Sequence, residues 1–161
     1  MNCLSFDVGG TTVKYGVIDE SYKILKKDKI PTPENENDFI YSLSNIIQEN
    51  HSIISKVSVA MPGYVNSANN KYLYGPHLKY DIDFSKLSNF TDYKFHLDND
   101  GNVAAYCEYF LNYKTKYSNL IMLTFGTGIG GGIISEGRLL RGRGNAGEIG
   151  HMLTSNDRDV E

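Results

Sequence analysis

The stretch TFGTGIGGGIISEGRLLRGRGNAGEIGH, residues 124–151, decides between the candidate folds. Three of its glycines fit G-x-G-x-x-G, the pattern of dinucleotide-binding domains: Gly126, Gly128 and Gly131. That fold needs a strand before the glycines and a helix after them. The strand NLIMLTF (119–125) is present, but GGIISEG is β-branched, glycine-bearing and short, which disfavours a helix. The stretch therefore predicts a β-hairpin turning at Glu136-Gly137 and argues against a dinucleotide fold, and no P-loop pattern occurs in the chain.

A second glycine loop, Asp7-Val8-Gly9-Gly10-Thr11-Thr12, joins the first two predicted strands. Glycines let consecutive backbone N–H groups converge on an anion, because no side chain obstructs the approach. Two such loops, one in each half of the chain, are expected to grip a polyphosphate from both sides, with the hydroxyls of Thr11 and Thr127 as further donors. Asp7 is suited to hold Mg²⁺ through water. For either loop alone, an ordinary glycine hairpin turn explains the sequence equally well.

Composition bounds the class of protein. The 161 residues suit one domain or one and a half small ones, and a net charge of −3 argues weakly against nucleic acid as a partner. A local basic spot suits one anionic group: Arg138, Arg141 and Arg143. Cys3 and Cys107 form no disulfide framework and are predicted to be small core residues. With no signal sequence and no apolar run long enough to span a membrane, we expect a protein of the reducing cytoplasm.

Periodicity predicts the elements of the first half of the chain. Strands at 2–8, 13–18 and 22–30, joined by tight turns, predict an antiparallel meander. Apolar residues at helical spacing predict a helix over about 37–50. The apolar run 56–61 predicts a buried strand that ends at Pro62-Gly63.

The stretch 64–92 is irregular, rich in Asn and Tyr, and is predicted to form long loops. A short strand at 95–97 precedes a helix capped by Asp98, Asn99 or Asp100. Its predicted apolar face consists of Val103, Cys107, Phe110 and Leu111. The strand 119–125 is predicted to be buried. A polar break at 113–119 suggests an N-terminal α/β domain over 1–117 and the start of a second one over 118–161, which is too short for a core of its own.

Several motifs together resemble one known family. DVGGTTVKYG (7–16), PG (62–63), DNDGNVAAYCE (98–108) and the glycine-rich residues 126–151 look like the motifs, in the same order, of the ROK family of bacterial repressors and sugar kinases. The resemblance covers nearly the whole chain. It implies an α/β fold of the actin-like ATPase (ribonuclease H-like) class, in which two domains close over a cleft, with the first domain complete here and the second truncated.

The resemblance also implies roles for individual residues. Asp100 matches the catalytic base, and a carboxylate at a helix start is kept ionised by backbone N–H groups and the helix dipole. Without the resemblance, Asp100 is read more simply as a helix cap. The implied sugar ligands are Gly63, Asn99, Asp100, Glu148 and His151. The implied ATP phosphate ligands are Asp7, Gly9, Gly10, Thr11, Gly126, Thr127 and Gly128.

The chain departs from the family pattern near its end. In many relatives the counterpart of His151 also binds zinc together with cysteines that follow it, and this sequence stops at Glu161, where that stretch would begin. A structural zinc wants four ligands, so it is expected only in a longer chain. We expect an N-terminal part of a longer kinase, inactive by itself, or else a natural truncation that has lost activity. The absence of a preceding helix-turn-helix domain favours the kinase branch over the regulators.

The implied function is an ATP- and Mg²⁺-dependent sugar kinase. It would phosphorylate a hexose or N-acetylhexosamine, at the 6-hydroxyl, with glucose, N-acetylmannosamine or a β-glucoside as candidates. Its partners would be the sugar and ATP, without nucleic acid or membrane, in a dimer or tetramer of the full-length protein. One rival is a non-catalytic sugar-binding or sensing protein. A weaker rival is another actin-like ATPase, against which GEIGH (147–151) argues.

Overall fold

The computed structural model of the chain describes residues 2–75, 77–87, 90–126, 128–144 and 146–152. Contacts divide the chain into two compact units, Met1–Asp100 and Gly101–Glu161, and each is described by itself. The domain boundary expected between 117 and 118 stays a prediction. The two compact units are defined by where contacts are dense, whereas a domain is defined by whether it folds on its own. No helix in the described part of the chain is long and apolar enough to cross a membrane.

The first unit is built on a five-stranded sheet in the order β3-β2-β1-β4-β8. Its strands are β1 (Asn2–Val8), β2 (Thr12–Ile18), β3 (Ile24–Pro31), β4 (Ile54–Met61) and β8 (Lys94–Asn99). The first three pair antiparallel, which confirms the predicted meander, whereas β4 runs parallel to β1 and β8 runs parallel to β4. Three parallel strands therefore end at one edge of the sheet.

Helix α1 (Glu36–Asn50) connects β3 to β4 and matches the predicted helix. Asn35 caps the N-terminus of this helix: its side-chain oxygen accepts a hydrogen bond from the Asp38 N–H at 3.0 Å, which satisfies a donor left over at the helix start. Its buried apolar residues recur at helical spacing: Phe39, Leu43, Ile46 and Ile47. They join a core with alternate residues of the central strands, namely Leu4, Phe6, Val8, Val57 and Val59.

The stretch 64–92 corrects the sequence-based expectation of long loops. It contains a small antiparallel sheet of β5 (Tyr64–Asn66), β6 (Lys71–Tyr74) and β7 (Ile82–Asp83), followed by 3₁₀ turns at Phe84–Lys86 and Phe90–Asp92. Strands of two to four residues are too short to show alternation, so their pattern could not be read from the sequence. Tyr72, Ile82 and Phe84 are fully buried in the core of the unit.

Helix α2 (Asp100–Glu108) begins at the last residue of the first unit, and its remaining residues belong to the second unit. It continues as a π-helical turn over Tyr109–Tyr113. The antiparallel sheet of the second unit consists of β9 (Leu120–Phe125), β10 (Ile129–Ser135) and β11 (Arg138–Leu139). The β10–β11 turn lies where it was predicted, with φ of 51° at Glu136 and 77° at Gly137. Positive φ at both central positions is the geometry that a tight hairpin turn requires.

Two expectations for the second unit are wrong. The buried face of α2 and its π-helical turn is formed by Gly101, Asn102, Ala105 and Tyr109, whereas Val103, Cys107 and Leu111 are exposed. Gly101 and Ala105 lie where β10 approaches the helix closely: a Cβ on Gly132 would lie 2.5 Å from the Ala105 Cβ and 3.0 Å from the Gly101 carbonyl oxygen. Strand β9 is not buried on both faces, since every second residue is exposed.

In the first unit, Cys3 was predicted to be a small core residue. It is half-buried, with its Sγ 3.5 Å from the Ser58 hydroxyl.

Candidate active site

The proposed site residues of the first unit lie at the carboxyl edge of its parallel strands. The register places Asp7 beside Ala60, and Ala60 beside Asp98. The glycine loop after β1, the Pro62-Gly63 turn after β4 and Asp100 after β8 therefore follow at the same edge. Ligands of open α/β sheets bind in the crevice outside the carboxyl ends of the strands.

The loop between β1 and β2 is held by hydrogen bonds on two sides. Within the loop, the Gly9 N–H donates to the Thr12 carbonyl at 3.0 Å. From the end of β3, the Thr32 N–H donates to the Thr11 carbonyl at 3.0 Å, and the Thr32 hydroxyl donates to the Gly9 carbonyl at 2.7 Å. These three hydrogen bonds fix the backbone of the loop at Gly9 and Thr11.

Asp7 lies on β1 opposite Lys14 of β2, with 3.6 Å between the Lys14 Nζ and the Asp7 Oδ2. Both side chains are exposed, so this ion pair contributes little to stability and leaves the carboxylate accessible to a hydrated cation. Among the described residues, no three His, Cys, Asp or Glu side chains cluster as a set of metal ligands. A single carboxylate suits Mg²⁺, which keeps most of its waters and takes its other ligands from substrate phosphates.

Gly63 and Asn99 connect the ends of β4 and β8. Gly63 has φ of +96°, and a Cβ there would lie 2.6 Å from both the Tyr74 carbonyl oxygen and the Gly75 Cα. Asn99 is buried, and its Nδ2 donates to the Gly63 carbonyl at 3.0 Å. The amide of Asn99 is thereby oriented by the backbone of the neighbouring turn.

Asp100 is an exposed acidic residue in the first turn of α2. A carboxylate in this position is stabilised in its ionised form by the positive end of the helix dipole. Within the second unit, the next residues of the helix pack closely on their surroundings. A Cβ on Gly132 would lie 3.0 Å from the Gly101 carbonyl, and one on Gly147 would lie 3.2 Å from the Asn102 Oδ1. Close packing therefore fixes the first turn of α2.

The glycine-rich stretch of the second unit serves two purposes. Around Gly126 and Gly128 a Cβ would meet nothing within 4 Å, and the Gly126 N–H donates to the Gly128 carbonyl at 3.0 Å. Thr127 lies outside the described residues. Further along, a Cβ on Gly131 would lie 2.5 Å from the Met122 carbonyl, and one on Gly150 would overlap the Ile129 carbonyl. The first glycines leave an open loop, whereas the later ones allow β10 to pack against its neighbours.

Glu148 and His151 flank the 3₁₀ turn Ile149–His151. The His151 N–H donates to the Glu148 carbonyl at 3.2 Å, and 3.8 Å separates the His151 Nε2 from the Glu148 Oε2. Because Gly147 and Gly150 carry no side chain, this turn packs directly against β10. This packing positions the side chains of Glu148 and His151. The His151 side chain is largely exposed. Its expected role as a zinc ligand stays a prediction, because the cysteines that would accompany it are not part of this sequence.

Sequence reasoning missed three residues that shape this edge of the first unit. Thr32 holds the glycine loop, Gly75 allows the approach of Gly63, and His77 lies against Gly10. Thr32 lies between the predicted strand 22–30 and the predicted helix 37–50, and the other two lie in the stretch 64–92 that was predicted to form long loops. Each acts through a contact with a residue distant in sequence, which no local pattern reveals.

Each unit begins its sheet with the same arrangement, in which two antiparallel strands are joined by a glycine loop. In the first unit this meander continues into parallel strands in the order β3-β2-β1-β4-β8, with the candidate residues at their carboxyl ends. This architecture is that of the actin-like ATPase fold, as the sequence predicted. Residues 3–160 match the ROK family, and the chain belongs to that family.

Curated relatives and solved structures agree with this assignment. A glucokinase of Streptomyces coelicolor is 32% identical over 92% of this chain and 49% of its own length. An N-acetylmannosamine kinase of Haemophilus influenzae is 33% identical over 95% of this chain and 53% of its own length. A ROK family glucokinase from Streptomyces griseus, solved in complex with glucose and AMPPNP, superposes with a TM-score of 0.82 at 29% identity, covering 98% of this chain and 52% of its own. The chain thus spans about half the length of the curated relatives it matches.

Proposed function

We propose that this chain is part of an ATP-dependent sugar kinase that phosphorylates a hydroxyl of a hexose or N-acetylhexosamine. The observation that carries the proposal is the carboxyl edge of the first sheet. There Asn99 is hydrogen-bonded to Gly63, Asp100 follows directly, and the Gly9–Thr11 loop leaves the same edge. The sugar-kinase names of the relatives, and the glucose and AMPPNP bound by one of them, support the same reaction class.

Asp100 is proposed as the general base. Phosphoryl transfer depends mainly on positioning and charge stabilisation, and the base orients the attacking hydroxyl and takes its proton. An exposed carboxylate at a helix start meets this need, because it is accessible and the positive end of the helix dipole favours its ionised form. The 6-hydroxyl is the proposed acceptor.

The proposed sugar ligands are Asn99, Glu148 and His151, with Gly63 allowing the backbone to approach the ring. Amide, carboxylate and imidazole groups pair with the donors and acceptors of several hydroxyls. A site built in this way rejects analogues that lack those hydroxyls, since its own polar groups would be left unpaired. The relatives act on different sugars, so glucose, N-acetylmannosamine and a β-glucoside all enter the test.

The proposed phosphate ligands come from the glycine loops. In the first unit they are Gly9, Gly10 and Thr11, with Asp7 placed to hold Mg²⁺ through water. In the second unit they are Gly126, Thr127 and Gly128. Bound Mg²⁺ would neutralise charge on the phosphates. The protein groups supply backbone donors, and glycine keeps those donors accessible.

The first experiment is an ADP-release assay with Mg-ATP over a panel of hexoses, N-acetylhexosamines and β-glucosides. It uses residues 1–161 and, in parallel, the complete reading frame that contains them. Sugar-dependent ADP release by the complete protein supports the kinase, and the sugar with the highest kcat/KM identifies the substrate. Measurable sugar binding without ADP release from either protein would replace the kinase by a non-catalytic sugar-binding protein.

A further inference from the structure

We propose that His77 is an additional phosphate-contacting residue of the first glycine loop, and that its imidazole N–H donates to a phosphate oxygen bound at Gly10 and Thr11. This inference rests on the proposed function. His77 belongs to none of the motifs that carry the family resemblance. It is singled out by its contact with the loop.

The position of His77 is fixed on both sides. Before it, Gly75 lies so close to the Pro62-Gly63 turn that a Cβ would be 2.5 Å from the Pro62 carbonyl oxygen. After it, Leu78 is buried in the core, and the Tyr72 hydroxyl donates to the Leu78 carbonyl at 3.4 Å. His77 therefore lies between two anchored residues, Gly75 and Leu78, although its own side chain is exposed.

The side chain of His77 lies against Gly10, in the loop between β1 and β2. A Cβ on Gly10 would lie 2.8 Å from the His77 Cβ, 3.0 Å from its Cγ and 3.4 Å from its Nδ1. The imidazole thus packs beside Gly10, and its exposure makes the ring accessible to a ligand. Even neutral imidazole keeps one N–H donor, so the proposed hydrogen bond needs no change of charge.

Three substitutions separate the donor role of His77 from simple packing. His77→Ala removes both ring and donor, His77→Phe keeps the ring without the donor, and His77→Gln keeps a donor without the ring. We would measure the Kd for inorganic tripolyphosphate and for Mg-AMPPNP by calorimetry in the complete protein, whether or not it releases ADP. If it releases ADP, we would also measure the KM for ATP and for the best sugar. Thermal unfolding of each variant identifies any loss of folded protein.

We expect the Ala and Phe variants to weaken tripolyphosphate and Mg-AMPPNP binding, and to raise the KM for ATP, by about tenfold, the effect of one hydrogen bond to a charged group. The sugar KM should stay within about twofold, and the Gln variant should retain most of the affinity. Wild-type affinity in the Phe variant would overturn the proposal, because it would reduce His77 to a packing residue.

The outcomes also distinguish this inference from the proposed kinase. An active wild-type enzyme whose ATP KM is insensitive to all three substitutions overturns the role of His77 alone. A wild-type protein that releases no ADP, yet loses tripolyphosphate affinity on His77→Ala and His77→Phe, overturns the kinase and supports the phosphate site. A wild-type protein that binds neither tripolyphosphate nor Mg-AMPPNP overturns both.

Discussion

At the scale of single residues, Asp100 offers the most direct test of chemistry. Asp100→Asn keeps the size of the side chain and its place in the first turn of α2, but removes the carboxylate that would accept a proton. We expect kcat to fall by at least about 10²-fold, the lower end of general acid–base contributions, with sugar affinity within a few-fold of wild type. Steady-state kinetics and calorimetric sugar binding measure the two effects. Retained turnover would exclude Asp100 as the base.

Gly63 makes a second prediction at this scale. Gly63→Ala places a Cβ at φ of +96° and 2.6 Å from the backbone of Tyr74 and Gly75. The left-handed conformation alone costs about 1–2 kcal/mol, and the contact adds to it, so the free energy of unfolding should fall by about 2–3 kcal/mol. Urea unfolding measures this difference. Gly126→Ala is the control, since open space around Gly126 predicts a change within about 0.5 kcal/mol.

At the scale of elements, Glu36 connects the start of α1 to β7 and to the 3₁₀ turn that follows it. Its Oε1 accepts from the Asp83 N–H at 3.0 Å, and its Oε2 pairs with the Lys86 Nζ at 2.7 Å. These hydrogen bonds, first the one to Lys86, lower the pKa of Glu36 from its ordinary value. A lowered pKa stabilises the folded chain at pH values above the ordinary carboxyl pKa, and this contribution is lost as the pH falls through the lowered value.

Glu36→Gln should therefore reduce the free energy of unfolding by about 1 kcal/mol at pH 7, a value kept small because Lys86 is half-exposed. The difference from wild type should shrink as the pH falls below the ordinary glutamate pKa of about 4.3, and it should disappear only below the lowered pKa of Glu36 in the folded chain. Urea unfolding of both proteins at pH 7 and at several pH values below about 4 measures this difference. Glu34→Gln, at an exposed carboxylate on the same segment, is the matched control. A Glu36→Gln difference that does not change with pH would show that the charge contributes nothing.

At the scale of the whole molecule, one face of the β9–β10 sheet is apolar and exposed. Alternate residues of β9 form it, together with their partner on β10: Ile121, Leu123, Phe125 and Ile129. Isolated exposed apolar side chains are normal, but a contiguous patch binds apolar molecules or other chains. We therefore expect this face to promote the self-association of residues 1–161 when they are expressed alone.

We expect residues 1–161 to bind the fluorescent probe ANS and to self-associate at high concentration. Substituting Ile121, Leu123 and Phe125 together by threonine, which retains strand propensity, should lower ANS fluorescence and the apparent mass in light scattering. Tyr41→Ser serves as the control, because Tyr41 is equally exposed but lies alone on α1. Equal ANS binding by the triple variant and wild type would place the apolar surface elsewhere.

Local pattern was enough to predict the meander, helix α1 and the β10–β11 turn. In β1, alternate residues Leu4, Phe6 and Val8 are buried, and in α1 the apolar residues recur at helical spacing. The motifs likewise led to the family and to the fold, and they singled out Asn99 and Asp100 before any contact was known. Such signals are readable because each depends on residues close together in the chain.

Tertiary structure alone decided the buried face of α2, the small sheet within 64–92 and the neighbours of the candidate site. Ala105 rather than Cys107 is buried because Ala105 lies on the side of α2 that packs against Gly132 of β10, and this choice of side is made by packing. The Gly63 carbonyl orients the amide of Asn99, and His77 packs against Gly10. Both contacts join residues that are far apart in sequence. Local propensity carries no record of such contacts, because the partner is selected only when the strands and loops pack.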